Sequence, residues 1–429
     1  MKFKAGWIVI FLVLGLALIG CSGENVGTSE SEDNETSVGD NGLSGRVLVW
    51  VHPYADPQLM NPVWEEMKNT FEEQHPNVEI VIEEIPWQNR EQKLLTALAA
   101  NQGPDVFYLL PDQTPLFAQQ GILEPISKYV DEAFMSEFNE ASLNAARYQG
   151  ELYGLTILGT VVSPYYNLDI VKEIGEDPNN LPATWDEFKE WAQKAKEKGY
   201  YAFTFRVADG AVNMGFYPWI WQAGGDIIDD NGNVIVTEPE AMEALHFINT
   251  AFQEGWIHPD VSQDAQNEAF LNGQVMVNFT SNIFIANQEA GIDKVDFEWT
   301  VGPLLENKRK ATYSAVGMFA VPSNSDNKDA AVEFVKFMTN EDNQRLFNKA
   351  TSYIPSRPAA ADIYDGHQLM EIVVEQSEFT LPGVKDPVGR LIIPHVTAAI
   401  QSMLNGDFTP EEAAEHIAKK IEEERANIQ

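Results

Sequence analysis

Three places in the sequence set aromatic or polar side chains just after a short apolar run. His52 and Tyr54 follow the run ending at Val51, Trp87 and Gln88 follow the one ending near Ile82, and Asp112 follows the one ending at Leu110. A fourth cluster, Phe216-Tyr217-Pro218-Trp219-Ile220-Trp221-Gln222, crowds aromatics into one helical stretch. Such a set suits a ring with an apolar face and a polar rim. A flat aromatic covers the C–H face of a sugar, while amides and carboxylates bond its hydroxyls. Trp219 and Trp221 stand two apart on a helix and cannot share one face, so at least one belongs to a core. Acids with aromatics also suit a polyamine. A phosphorylated solute would need cations, for which Arg90, Arg206 and Arg357 are the candidates. Little here serves catalysis: there is no Gly-x-Ser-x-Gly, phosphate loop, Gly-x-Gly-x-x-Gly or His-Glu-x-x-His. His246 and His258 read as helix-end or loop residues, so neither a metal nor a cofactor is expected. Counting does not exclude a carboxylate pair among 65 acids, which keeps an extracellular carbohydrate-active enzyme as an alternative.

The elements that would position these residues are legible in outline. Residues 46–110 read as strand, helix, strand, helix, strand. Val47, Val49 and Val51 open the first strand. Asn61 with Pro62 reads as a helix start, and Val63, Met67 and Phe71 form one apolar face. Val78, Ile80 and Ile82 alternate on the second strand; Leu94, Leu95 and Leu98 mark a second helix; Asp105 to Leu110 is the third strand. Repeated β-α-β units imply a parallel sheet, with ligands beyond the carboxyl ends of its strands. A second region begins near residue 160. Thr184 with Glu187, Thr237 with Glu240, and Thr409 with Glu412 spell helix starts. Trp185 and Trp191 belong to a core face. Tyr200–Phe205 and Val275–Phe279 read as strands, Asp230-Asn231-Gly232 as a hairpin turn, and Lys328–Phe347 as one helix.

The N-terminal residues carry a sorting signal. Lys2 and Lys4 precede an uncharged run from Trp7 to Ile19, too short to span a bilayer comfortably. Leu18-Ile19-Gly20-Cys21 resembles a bacterial lipobox, in which cleavage frees a Cys that carries diacylglycerol. Cys21 is the only cysteine, so an exported chain has no internal disulfide to form with it. Residues 1–20 are therefore expected to be a lipoprotein signal peptide. Residues 21–45, with six acids and no aromatic, are expected to be a flexible tether. The formal charge of −37 argues against nucleic acid and anionic lipid surfaces as partners. Adaptation to a salty or alkaline medium accounts for it better than cation binding, since the acids are dispersed.

Several motifs occur together in one order. They are Gly103-Pro104-Asp105-Val106, Tyr153-Gly154-Leu155 through Tyr165-Tyr166-Asn167, and Pro182-Ala183-Thr184-Trp185-Asp186-Glu187-Phe188. Ala223-Gly224-Gly225-Asp226, Phe270-Leu271-Asn272-Gly273-Gln274-Val275-Met276 and Thr409-Pro410-Glu411-Glu412-Ala413 follow. Over nearly all of residues 46–429 this order resembles the maltose-binding-like cluster of extracytoplasmic solute-binding proteins, family 1. Val275 stands where Ala is usual. The resemblance implies an α/β, two-lobe fold with parallel-sheet lobes and a multi-segment hinge, with crossings near Leu155–Thr160, Ser314–Ala320 and Tyr353–Asp365. Lobe 1 is expected to be residues 46–158 and 317–365, and lobe 2 residues 159–316 and 366–429. It places a sugar-binding acid at Asp112, one cleft residue at Tyr165 or Tyr166, and a cleft aromatic near Asn282 and Phe284. Gly317, in the second crossing, and Arg357, in the third, complete the expected ligand set of His52, Tyr54, Trp87, Gln88, Asp112, Tyr165, Trp219, Trp221, Asn282 and Phe284. The expected function is capture of a sugar or short oligosaccharide by hinge closure, as a monomer held to the cell membrane by lipid at Cys21, for delivery to the permease subunits of an ABC importer.

Overall fold

A computed structural model describes residues 42–87, 90–208 and 211–428. The expected signal peptide, most of the tether, Cys21 and Gln88 lie outside the described residues. The strands are β1 (Gly45–Val51), β2 (Val78–Glu84), β3 (Val106–Leu109), β4 (Arg147–Tyr148), β5 (Glu151–Leu152), β6 (Leu155–Leu158), β7 (Val162–Asn167), β8 (Tyr201–Phe203), β9 (Val275–Ser281), β10 (Trp299–Val301), β11 (Thr312–Tyr313), β12 (Gly317–Ala320) and β13 (Thr380–Leu381).

The first sheet has the order β2-β1-β3-β12-β6. β1, β2 and β3 run parallel, as the β-α-β reading predicts. β12 runs antiparallel to both β3 and β6, so the sheet is mixed rather than parallel. The reason is topological. β1 to β3 are joined by helical crossovers, whereas β12 enters from the other lobe, at the edge where β1 to β3 end. The second sheet, β10-β7-β9-β8, is also mixed, with only β8 and β9 parallel.

Each sheet has its own core. Val47, Val49, Phe71, Phe107, Met318, Phe334 and Phe347 pack around the first. Tyr166, Trp185, Phe188, Trp191, Phe203, Trp219 and Phe247 pack on one face of the second. Its opposite face is covered by Tyr165, Phe270, Phe284, Val301 and Val373.

Local starts and stops follow side-chain chemistry, with three departures. The first helix begins at Pro57, a turn before Asn61, because Asp56 accepts from Gln58 N at 2.8 Å and Pro57 fixes the first position. Pro62 lies inside that helix, on its exposed side. Thr184 and Glu187 form a reciprocal capping box, as do Thr409 and Glu412. Thr237 and Glu240 do not, because Pro239 sets that helix's first residue and leaves Glu238 at the cap. The long helix expected over 328–347 is two, Lys328–Met338 and Glu341–Thr351. Asn340 caps the second by accepting from Asn343 N at 2.8 Å. The hairpin at 227–236 closes with a single antiparallel bridge between Ile228 and Val234.

Chain segments that pass between the sheets meet in one place. Gly159 and Ile354 exchange two backbone hydrogen bonds of 2.8 and 2.9 Å. Thr160 N donates to Ala315 O, and Ala315 N donates to Thr160 Oγ1 at 3.0 Å. Beside them the buried Gln344 side chain accepts from Ser356 N (2.8 Å) and Arg357 N (3.1 Å) and lies 3.0–3.1 Å from the Thr156 and Thr339 carbonyls. Gln344→Met keeps the volume but strands these groups. At about 1–3 kcal/mol for each buried polar group left unpaired, the expected loss is roughly 3 kcal/mol. Urea denaturation checks this; an unchanged midpoint would remove Gln344 as a structural hub.

Candidate functional site

The carboxyl ends of β1, β2 and β3 lie along one edge of the first sheet, and the residues after them meet there. His52 stacks on Trp87 with ring centroids 4.3 Å apart and planes at 22°. Its Nδ1 bonds Ile85 O at 2.6 Å, and burial pushes its pKa down to about 4, so the ring is neutral near pH 7. Trp87 Nε1 donates to Pro53 O at 3.2 Å. Its indole is thus held from behind while 41% of the residue stays exposed. Tyr54 and Tyr108 pack edge-on to these rings. The Arg90 guanidinium lies 5.1 Å from the Trp87 ring centroid and 5.5 Å from that of Tyr108.

Asp112 is 3% exposed and faces the second lobe. Its Oδ2 lies 3.4 Å from Asn213 Nδ2 and 3.3 Å from Arg390 Nη1. Tyr313 joins this group; burial and the Asp112 charge push its phenol up to about 12. Gly383 has φ +98°, a conformation that L side chains rarely adopt, and a Cβ added there would meet Asn213 and Tyr313 at ordinary contact distance. Five buried polar atoms around this junction have no partner among the described residues: Asp112 Oδ1, Asn213 Oδ1, Tyr54 Oη, Tyr217 Oη and Arg90 Nη1.

A cavity of about 370 Å³ adjoins the group through Gly383. Arg147, Tyr148, Trp221, Asp226 and Lys385 also line it. Trp221 Nε1 donates to Asp226 Oδ2 at 3.1 Å. A larger cavity, about 480 Å³, lies at the crossing segments among Gly159, Val161, Ser314, Val316 and Ile354.

The structure therefore brings together His52, Tyr54, Trp87 and Asp112, with Trp221 on the adjoining cavity. It does not bring the other expected residues to this group. Trp219 is packed among Trp185, Phe203 and Phe247. Tyr165 and Tyr166 are adjacent on β7 and enter the cores on opposite faces of the second sheet, so neither faces the junction. Phe284 packs on Tyr165 and Trp299. Asn282 is fully buried among the crossings, accepting from Val161 N and donating to Ser352 O. Arg357 is buried, pairs with the exposed Glu137 and lies over the rings of Phe134 and Phe138. Gly317 supports the group from below, since a Cβ there would fall 2.4 Å from Tyr108 Oη.

Sequence reasoning missed Tyr108, Asn213, Tyr313 and Arg390. Tyr108 sits inside an apolar run and reads as core. The only available signal for Arg390 was the buried Asp112, which needs a cation from somewhere.

Burial raises the Asp226 carboxyl from its ordinary 3.8 to about 6. Its contribution to stability is fully present below the unfolded value and is lost as pH rises through about 6. Between pH 4 and pH 7 the protein should lose on the order of 2–3 kcal/mol more than its Asp226→Asn variant. Denaturation at several pH values tests this, and parallel curves for the two proteins would reject it.

Comparison with known proteins places this geometry. The profile of the bacterial extracellular solute-binding protein family matches residues 54–345. The chain is similar to the maltotriose-binding protein of Pyrococcus abyssi, 30% identical over 325 residues that cover 73% of this chain and 66% of that one. It is similar to the galactooligosaccharide-binding protein of Bacillus subtilis along almost its whole length: 22% identical over 438 residues, 98% of this chain and 96% of the relative. Among solved structures, the fold is similar to that of the cyclic alpha-maltosyl-1,6-maltose binding protein from Arthrobacter globiformis. The TM-score is 0.76 at 22% identity, covering 88% of this chain and 97% of that one. With a two-lobe fold and well over half of its length matched by the profile, the protein belongs to the bacterial extracellular solute-binding family.

Proposed function

We propose that this protein is the substrate-binding component of an ABC importer and captures a sugar or short oligosaccharide between its lobes. The observation that carries the reading is the set of unpartnered polar atoms at the junction. Each buried polar atom without a partner costs about 1–3 kcal/mol, so a ligand that supplied partners to these five would be favoured here. Asp112 Oδ1 accepts only, Arg90 Nη1 donates only, and the two tyrosine hydroxyls do either. A polyol answers all of them, because each hydroxyl both donates and accepts. The exposed face of Trp87 offers the apolar side of a sugar ring its place. The similar proteins of Pyrococcus abyssi and Bacillus subtilis, named for maltotriose and galactooligosaccharide, favour an oligosaccharide.

We assign Tyr54, Trp87, Asp112 and Trp221 to ligand contact, adding Arg90, Asn213 and Tyr217, with His52 behind Trp87. Residues 46–158 with 317–365, and 159–316 with 366–429, are the units that move. A solute touching both binds the closed form better and shifts the population toward it. The closed form then docks on the permease subunits. Chemistry is not required of the site, and the protein is a binder rather than an enzyme. Outside the cell, lipid at Cys21 keeps it beside the importer; two acyl chains hold firmly where one binds marginally.

Thermal unfolding of the Cys21→Ser protein with sugars, polyamines and phosphate esters tests the solute class. A sugar at 100 times its Kd adds about 2.7 kcal/mol and raises Tm by a few degrees. Asp112→Ala should weaken that sugar by about 1.5–3 kcal/mol, 10- to 100-fold in Kd, by calorimetry. A shift with spermidine alone would overturn the sugar assignment in favour of a polyamine.

The anchor has its own test. Wild-type protein should fractionate with membranes and Cys21→Ser protein should not; equal partition of the two would remove the lipid.

A further inference from the structure

Arg390 lies between Val388 and Ile392, both fully buried in the core on the second sheet. Its backbone therefore belongs to the second lobe, while its side chain leaves that lobe. Nη1 reaches Asp112 Oδ2 at 3.3 Å, and Nε lies 3.7 Å from Glu91 Oε2. Both acids belong to the first lobe: Asp112 follows β3, and Glu91 opens the helix Arg90–Ala99. Glu91 is itself held by Gln113 Nε2 at 3.1 Å. One cation from one lobe thus sits between two carboxylates of the other.

We infer that Arg390 is the positioning residue for Asp112 and, through the same contact, a latch that draws the lobes together before any solute arrives. With Asn213, it occupies Asp112 Oδ2 and leaves Oδ1 unpaired for the ligand. Exposed ion pairs contribute little. Here the Asp112 side chain is only 4% exposed, and without Arg390 its charge would be buried against a single amide. The latch also answers a difficulty of composition. A chain of net charge −37 brings acidic surfaces together when its lobes close. Arg390 supplies a positive charge where Glu91 and Asp112 meet the second lobe.

The positioning half rests on the reading of this junction as the solute site; the latch half does not. Small-angle scattering of the ligand-free Cys21→Ser protein addresses the latch. In low salt the protein should be compact, and at about 1 M NaCl, where the screening length is ~3 Å, it should expand. Adding Arg390→Met should leave it expanded at both salts, and Arg390→Lys should restore part of the compaction. Identical scattering from all three would overturn the latch. If the Met variant does not fold, the Lys variant against the parent over the same salt series decides.

Calorimetry with the sugar found by thermal shift addresses positioning. Arg390→Met should weaken binding at least tenfold, and combining it with Asp112→Asn should cost little beyond Asp112→Asn alone. Independent, multiplying losses would overturn the positioning role. If no sugar binds the parent protein, the sugar reading fails and scattering still decides the latch.

Discussion

Backbone groups that leave a sheet must still find hydrogen-bond partners, and in this fold they must do so where the chain passes between two sheets. The solution is mutual. Gly159 pairs with Ile354, Thr160 pairs with Ala315, and Asn282 joins Val161 to Ser352. These contacts tie segments distant in sequence into one knot of backbone. Because β6 leads into the knot and β12 leads out of it, both belong to the same side of the first sheet. The carboxyl ends of β1, β2 and β3 occupy the rest of that edge. The proposed site thus lies along the same edge as the crossings.

Inside the knot, Gln344 and Ser356 are buried and engage carbonyls of neighbouring segments, and Asn348 donates to Ile157 O while its Oδ1 has no partner among the described residues. At the open edge the buried polar atoms are held in position but not saturated. Asp112 uses one oxygen and keeps the other free, and Asn213 uses its amide nitrogen and keeps its oxygen free. Half-satisfied polar networks are costly in a static core. They fit the proposed closure of this edge on a solute.

The parts of this design that follow local rules were readable in the sequence. Strand ends placed His52, Tyr54, Trp87 and Asp112 together, and reciprocal caps located the helices at Thr184 and Thr409. Period-two alternation also explains a failure. Tyr165 and Tyr166 had to part to opposite faces, but only the three-dimensional fold shows that the second sheet is covered on both. Asn282, Arg357 and Trp219 were assigned to the ligand because amides, cations and indoles serve ligands. Each serves the interior instead: Asn282 the crossings, Arg357 the Phe134 and Phe138 rings, and Trp219 an aromatic core. Residue type alone does not separate these uses. Arg390 was invisible for the opposite reason, since its partners lie 278 and 299 positions earlier in the chain and nothing local marks them.

The shape of the aromatic group bears on what the site accepts. His52 covers one face of Trp87, and the indole N–H is committed to Pro53 O. Trp87 nonetheless stays 41% exposed, with the Arg90 guanidinium 5.1 Å from its ring centroid. A flat apolar surface next to unpaired acceptors and donors matches a molecule that is itself two-sided. A polyamine would use the acceptors but leave Arg90 facing a like charge. A phosphate ester would use Arg90 but meet Asp112. A neutral, hydroxyl-rimmed ring would meet Trp87, Asp112 and Arg90 at once, which supports the proposed sugar site.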